Sequence, residues 1–419
     1  MKTIIIRKFI ILIISIASYS TGYSQVKILF DATKAETAGN ADWVIDADTY
    51  NISWSNGPAS VGTGGNEANA QRIPTPAQSG IITSTTESFW KGGLSSWGVD
   101  LVKKGYTVET LPLNVAITYN NLSNPQDLMN YKVFIVCEPN IVFTAAEKTA
   151  IMQFVQNGGG LFMVSDHTIS DRNNDGIDSP EIWNDLMTTN GIQSNPFGIS
   201  FDLVDFSQTS SNVATLPTDT LLHGPMGNVT QVMWSNGTSM TLSPAANSTV
   251  KGIVYKTGSS TTGTTNVMVA RAKYGAGRVV GLGDSSPCDD GSGDNNDTLY
   301  DAWIADASGN HERLIINATI WLASSPVYTS TEEKKTKSQT QLFPNPFSSS
   351  ANLSISPDVS IQNGVMVIYD MNGSIVKSSQ IGDSHVITIL KDGMNNGMYF
   401  YQILSNSSLI GKGKFIITE

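Results

Sequence analysis

The stretch that most constrains this chain runs Asn157-Gly-Gly-Gly-Leu-Phe-Met-Val-Ser-Asp-His167 and continues as Thr-Ile-Ser-Asp-Arg-Asn-Asn-Asp-Gly-Ile-Asp178. Glycines end a helix, an apolar run follows without a polar break, and ionisable residues appear where the run stops. A helix, a glycine turn and an unbroken apolar strand predict a parallel sheet buried on both faces. Open α/β sheets bind their ligands beyond the carboxyl ends of the strands. Asp166 and His167 stand at such an end, which makes this the expected functional edge.

Similar strands recur. Residues 26–30 end at Asp31, residues 106–111 follow a glycine stop, residues 131–137 precede Glu138, and residues 278–283 lead to Asp284. Between them, Phe89, Trp90, Leu94, Trp97, Leu101 and Val102 have helical spacing and predict one helix over 86–104. Thr144-Ala-Ala-Glu147 is a capping box that opens a second helix, and Pro180 starts a short third. Residues 311–323 place Leu314, Ile315, Ala318, Ile320 and Trp321 on one side of a fourth. Residues 32–79, rich in Gly, Asn, Pro and Thr, predict a long ordered loop holding Trp43 and Trp54, with Asp42, Asp46 and Asp48. Residues 195–248 predict loops and short strands. This alternation predicts an α/β domain over residues 26–325 with a doubly wound, mostly parallel sheet.

The two ends differ from this middle. Residues 1–25 carry Lys2, Arg7 and Lys8 ahead of an apolar run, residues 9–17, that is too short to span a bilayer comfortably. That pattern predicts a cleaved secretory signal, and no other apolar stretch approaches the roughly 20 residues of a membrane helix. No transmembrane segment is therefore expected in the mature chain. The net charge of -11, with no basic stripe, argues against nucleic acid as a partner. Cys137 and Cys288 lie at or just beyond strand ends; a disulfide, or a core residue and a loop thiol, are both open.

Residues 326–341, including Glu332-Glu-Lys-Lys335, are polar and predict a linker. From residue 342 to 419, short strands with turn signals predict a small all-β sandwich, with Asn372-Gly373 as a hairpin turn. Leu342-Phe-Pro-Asn-Pro346, Tyr369-Asp-Met-Asn-Gly373, Gly397-Met-Tyr-Phe-Tyr401 and Gly411-Lys-Gly-Lys-Phe-Ile-Ile417 resemble the C-terminal sorting domain of Bacteroidota type IX secretion cargo. The resemblance implies contact with that machinery, then release from the cell or attachment to its surface.

Residues 26–323 resemble class I glutamine-amidotransferase-like domains of the trehalose-utilisation type. The likeness is carried by the Gly-Gly-Gly-strand-Asp-His element, the Lys273-Tyr-Gly-Ala-Gly-Arg-Val-Val280 hairpin and the helix opened by Asn310-His311. Those amidotransferases place a cysteine on the elbow after the central strand. Ser165-Asp166-His167 stands there instead, so glutamine hydrolysis by a cysteine is not expected.

Two loops carry the remaining chemistry. Asp171-x-Asn173-x-Asp175-Gly176 begins like a calcium loop, in which alternate oxygen ligands converge and Gly permits the bend. Ile182 stands where the usual bidentate Glu would be, so Asp178 or Glu181 must substitute. The second loop follows Asp284 with Ser285, Asp289, Asp290, Asp294 and Asp297. Asp166, His167 and Asp284 are the expected centre, with Asp31, Glu138, Ser285, Asp289, Asp290 and His311 as further candidates. Such a group suits acid and base roles or a catalytic divalent metal; its bland reading is a set of hydrogen-bonded loop carboxylates. The functional expectation is an exported hydrolase acting on carbohydrate. The alternative is a non-catalytic surface module that binds a glycan or protein.

Overall fold

The computed structural model describes residues 26–38, 41–45, 52–53, 60–61, 76–90, 92–113, 115–292, 301–303, 309–325, 340–371, 374–406 and 408–419. The expected secretory signal, Asp46, Asp48, Trp54, Asp294, Asp297, nearly all of the linker and the Asn372-Gly373 turn lie outside these. The chain divides into two compact units, residues 1–328 and 329–419.

The first unit contains strands β1 (Lys27–Asp31), β2 (Thr107–Leu111), β3 (Val133–Cys137), β4 (Gly160–Val164), β5 (Ile199–Ser210), β6 (Val232–Leu242), β7 (Lys251–Tyr255), β8 (Val267–Tyr274) and β9 (Gly277–Leu282). Five of them run parallel in the order β2-β1-β3-β4-β9. Successive strand residues face opposite sides, so Ile28 and Phe30 join one apolar layer while Leu29 joins the other. Helices α1 (Ser95–Lys103) and α4 (His311–Ala323) cover the first layer; α2 (Ala145–Gln156) and α3 (Ser179–Thr189) cover the second. The glycines of the opening motif have separate tasks. Gly158 takes the positive φ of +106° that releases α2, and Gly160 lets α4 approach, since a Cβ there would lie 2.7 Å from Leu322 Cβ.

Three expectations need correction. The sheet is mixed rather than mostly parallel: the tight Gly275-Ala276 turn makes β8 and β9 a hairpin, and β7, β6 and β5 extend it in antiparallel fashion. The helix expected over 86–104 is two elements, a 3-10 turn Glu87–Phe89 and then α1. Gly92 lies between them at φ +128°, where a Cβ would meet the Val44 carbonyl oxygen at 2.8 Å. Residues 195–248 hold long strands, β5 and β6, because a ribbon with one wet face tolerates the Ser, Thr and Asn that suggest loops.

The second unit contains β10 (Thr340–Phe343), β11 (Ser350–Ile355), β12 (Gly364–Tyr369), β13 (Ile375–Gly382), β14 (Val386–Leu390), β15 (Gly397–Ser405) and β16 (Ser408–Ile417). They form a three-stranded sheet, β10-β11-β14, and a four-stranded sheet, β13-β12-β15-β16. Phe347, Leu353, Ile368, Tyr399 and Phe415 fill one core between them, as a sandwich requires.

Candidate functional site

Parallel strands finish on one edge, so the residues just past β1, β3, β4 and β9 are brought together there. Asp31 ends β1, Glu138 follows β3, Asp166 stands two residues past β4 and Asp284 two past β9. The strands of Asp166 and Asp284 are direct neighbours, Val164 opposite Leu282. All four carboxyl residues are buried, from 0% exposure for Glu138 and Asp284 to 4% for Asp166.

Glu138 is the hub. Its backbone sits at φ +48°, a left-handed conformation that a glutamate adopts at a cost. Its Oε2 accepts from the Trp43 indole at 2.6 Å and the Ser285 hydroxyl at 3.1 Å, while Arg172 Nη2 stands 3.5 Å from Oε1. Its carboxyl is also hydrogen-bonded to Asp166. Two carboxyls in such contact hold a proton between them. Burial first, then the charges of Glu138 and Asp284, pushes Asp166 well above the usual carboxylate range. Burial also raises Asp284, to about 7, against the pull of backbone N–H groups. These come from Ser235, 2.5 Å from Oδ2, and Ser286, 2.9 Å from Oδ1. His167 stands outward of Asp166, its Nε2 3.6 Å from Oδ2 and its ring partly open to solvent.

A second carboxyl pair closes β1. Asp31 is hydrogen-bonded to Glu36, and both are buried. Burial, then the charge of Asp31, raises Glu36 strongly; burial raises Asp31, opposed by its bond to Glu36 and the Lys34 cation. Lys34 grips Glu147 of α2 through both carboxylate oxygens, at 2.7 and 2.8 Å. Glu36 is not among the residues the sequence singles out. Nothing local marks it, because its pairing depends on the turn at Ala35, φ +57°.

The other candidates are placed differently. Asp289 and Asp290 turn away from the hub: Asp289 accepts from Gly291 N, and Asp290 accepts from Ser96 N at the start of α1, 2.7 Å away. Asp290 borders a cleft of about 440 Å³ with Glu87, Ser96, Asp301 and Trp303, and burial raises its carboxyl to about 6. His311 is buried and structural, its Nε2 accepting from Met233 N at 2.9 Å and its Nδ1 donating to the Ala302 carbonyl. In the calcium-like loop, Asp171 accepts from Gly176 N at 2.7 Å and the Asn173 amide meets Asp175 Oδ2 at 2.8 Å, so three expected donors stand together. The two substitutes do not join them. Asp178 accepts from Ile169 N and Ser170 N and forms the capping box of α3 with Glu181. Among the described residues no three His, Cys, Asp or Glu side chains are grouped to hold a metal ion. Trp43, Trp90 and Trp97 are core residues and offer no stacking platform. Trp97 packs edge-on to Phe30 and Phe162 and donates to Thr319 Oγ1.

Residues 341–418 match the family described as the secretion system C-terminal sorting domain. The second unit carries that sorting domain. It marks the chain for type IX export, to the medium or the cell surface. No helix among the described residues is long and apolar enough to cross a membrane. No curated protein matches the chain. Among solved structures, the mmIFT52 N-terminal domain is 13% identical with a TM-score of 0.39, over 72% of this chain and 99% of that one. Cytoplasmic Protein STM3548 from Salmonella typhimurium is 10% identical with a TM-score of 0.34, over 71% and 99%. A DUF3244 family protein from Bacteroides vulgatus, with an immunoglobulin-like β-sandwich, is 21% identical with a TM-score of 0.17, over 20% and 87%. Likenesses this distant carry no argument about the site.

Proposed function

We propose that the first unit is a hydrolase delivered outside the cell by the sorting domain, with Asp166 as general acid and Glu138 as general base. One observation supports this above the rest: two buried carboxyls in contact at the carboxyl edge, one of them raised well above the usual carboxylate range. Such a pair keeps an acid and a base side by side under the same conditions. Asp284 raises Asp166 further once it has itself ionised, and His167 links the pair to solvent. Glycosidases hold their two carboxyls roughly 5–9.5 Å apart to flank a sugar. The closer contact here suits activation of a water molecule, so glycan cleavage rests on the export route, and esters and peptides belong in the same screen.

Burial favours a second reading, a non-catalytic surface module that binds a glycan or protein. The four carboxyl residues are 4% exposed or less, and a substrate needs an opening. A hydrolysis screen of the full chain from about pH 4 to 8, over polysaccharides, esters and peptides, separates the two. The first reading expects turnover that Asp166→Asn and Glu138→Gln each cut by at least about a hundredfold while the protein stays folded. Polysaccharide binding without turnover, unchanged in Asp166→Asn, would establish the second.

A further inference from the structure

The chain has two cysteines, and the fold brings them together. Cys137 is the last residue of β3, next to Glu138, and Cys288 ends the short turn Ser286–Cys288 beyond Asp284. Both are free, buried thiols in the same apolar layer. Cys288 N donates to the Ser285 carbonyl, and the Ser285 hydroxyl reaches Glu138, the residue next to Cys137, at 3.1 Å; Cys288 is near enough to help raise the Cys137 thiol. The sorting domain takes the chain out of the cytoplasm, where thiols are kept reduced, into compartments where disulfides form and persist.

We propose that Cys137 and Cys288 are joined as a disulfide in the exported protein. The bond staples the loop leaving β9 to the end of β3, across the intervening β4. It thereby fixes Ser285, whose hydroxyl bonds Glu138, and Asp284, whose carboxyl holds Ser235 and Ser286. The oxidant is an oxidised dithiol carrier. One cysteine thiolate attacks a carrier sulfur, and the carrier's other sulfur leaves as thiolate. The second cysteine then attacks the mixed disulfide and releases the reduced carrier. Two electrons and two protons pass from the cysteine pair to the carrier. Burial in the finished fold pushes the Cys137 thiol well above its usual range and shuts out the carrier, so the exchange precedes closure of the edge.

The test uses the full chain collected from the medium after export, quenched in acid at once. It is alkylated with iodoacetamide in denaturant without reductant, and its intact mass is measured. The disulfide gives no alkylation, and two labels appear only after reduction. Two labels without reduction, or one, would overturn the proposal. Reductant added to the native protein gives a second readout. The bond is expected to survive until the first unit unfolds, and the reduced protein to melt roughly 5–10 °C lower. Immediate reduction with no change in melting would equally refute a buried staple.

Discussion

Replacing Asp284 by Asn should flatten the pH dependence of stability. In the folded protein, burial lifts this carboxyl from its ordinary 3.8 to about 7. The folded state therefore holds a proton that the unfolded chain has released. Stability from this group is full below pH 3.8 and is lost as the pH rises towards 7. Each pH unit in that window removes about 1.4 kcal/mol, so the loss from about pH 5 to pH 7 is about 3 kcal/mol. The amide that Asp284→Asn introduces cannot titrate. It keeps one acceptor for the Ser235 and Ser286 N–H groups and loses the other, which costs about 1 kcal/mol at about pH 5. The variant should thus start less stable and draw level with, or overtake, the wild type near neutrality. Removing the Asp284 charge also lowers Asp166, so the difference in slope is a minimum. Urea unfolding at intervals from about pH 5 to 8 measures it directly. All eight tryptophans precede residue 325, so their fluorescence reports the first unit within the full chain. Parallel curves for the two proteins would mean that Asp284 titrates as an ordinary surface carboxyl, and the acid-centre argument would fail with it.

Glu147 supports the edge from behind, since it completes the capping box of α2 and pairs with the buried Lys34. Glu147→Ala is expected to cost about 4 kcal/mol, roughly 1 for the cap and 3 for the stranded ammonium, against about 1 for Thr144→Ala. Equal losses in thermal melts of the two variants would show that Lys34 is solvated. We also propose calcium for Asp171, Asn173 and Asp175, completed by backbone carbonyls and water. At roughly a hundredfold excess over its dissociation constant the ion stabilises by about 3 kcal/mol. Chelator should lower the melting temperature of the wild type and leave Asp175→Ala unmoved; identical responses would exclude this site.

The edge is legible in the sequence because strands announce themselves. Unbroken apolar runs ending in Asp31, Glu138, Asp166 and Asp284 place four of the five carboxyls paired at this edge at strand ends from the residue pattern alone. Strand order is not legible, since nothing near residue 282 says that β9 pairs with β4. Glu36 stays hidden because its partner is chosen by one turn. Trp43, Val44 and Ile45 belong by composition to a polar loop, yet they sink into the core and let the indole reach Glu138. There the local composition points to the wrong environment, because a few apolar residues can anchor a segment that is otherwise polar. The same averaging joins the turn at Glu87–Phe89 to α1, although Gly92 sits between them.

The pairing of β4 with β9 also has a kinetic consequence. β1, β2, β3 and β4 all lie in the first half of the unit, whereas β9 is separated from β4 along the chain by α3 and the whole antiparallel extension. Closing so long a loop delays that contact. Until it forms, Asp166 has no Asp284 beside it and the edge stays wet. The acid centre therefore comes into being with the last central strand, and before that contact its carboxylates are an ordinary solvated set.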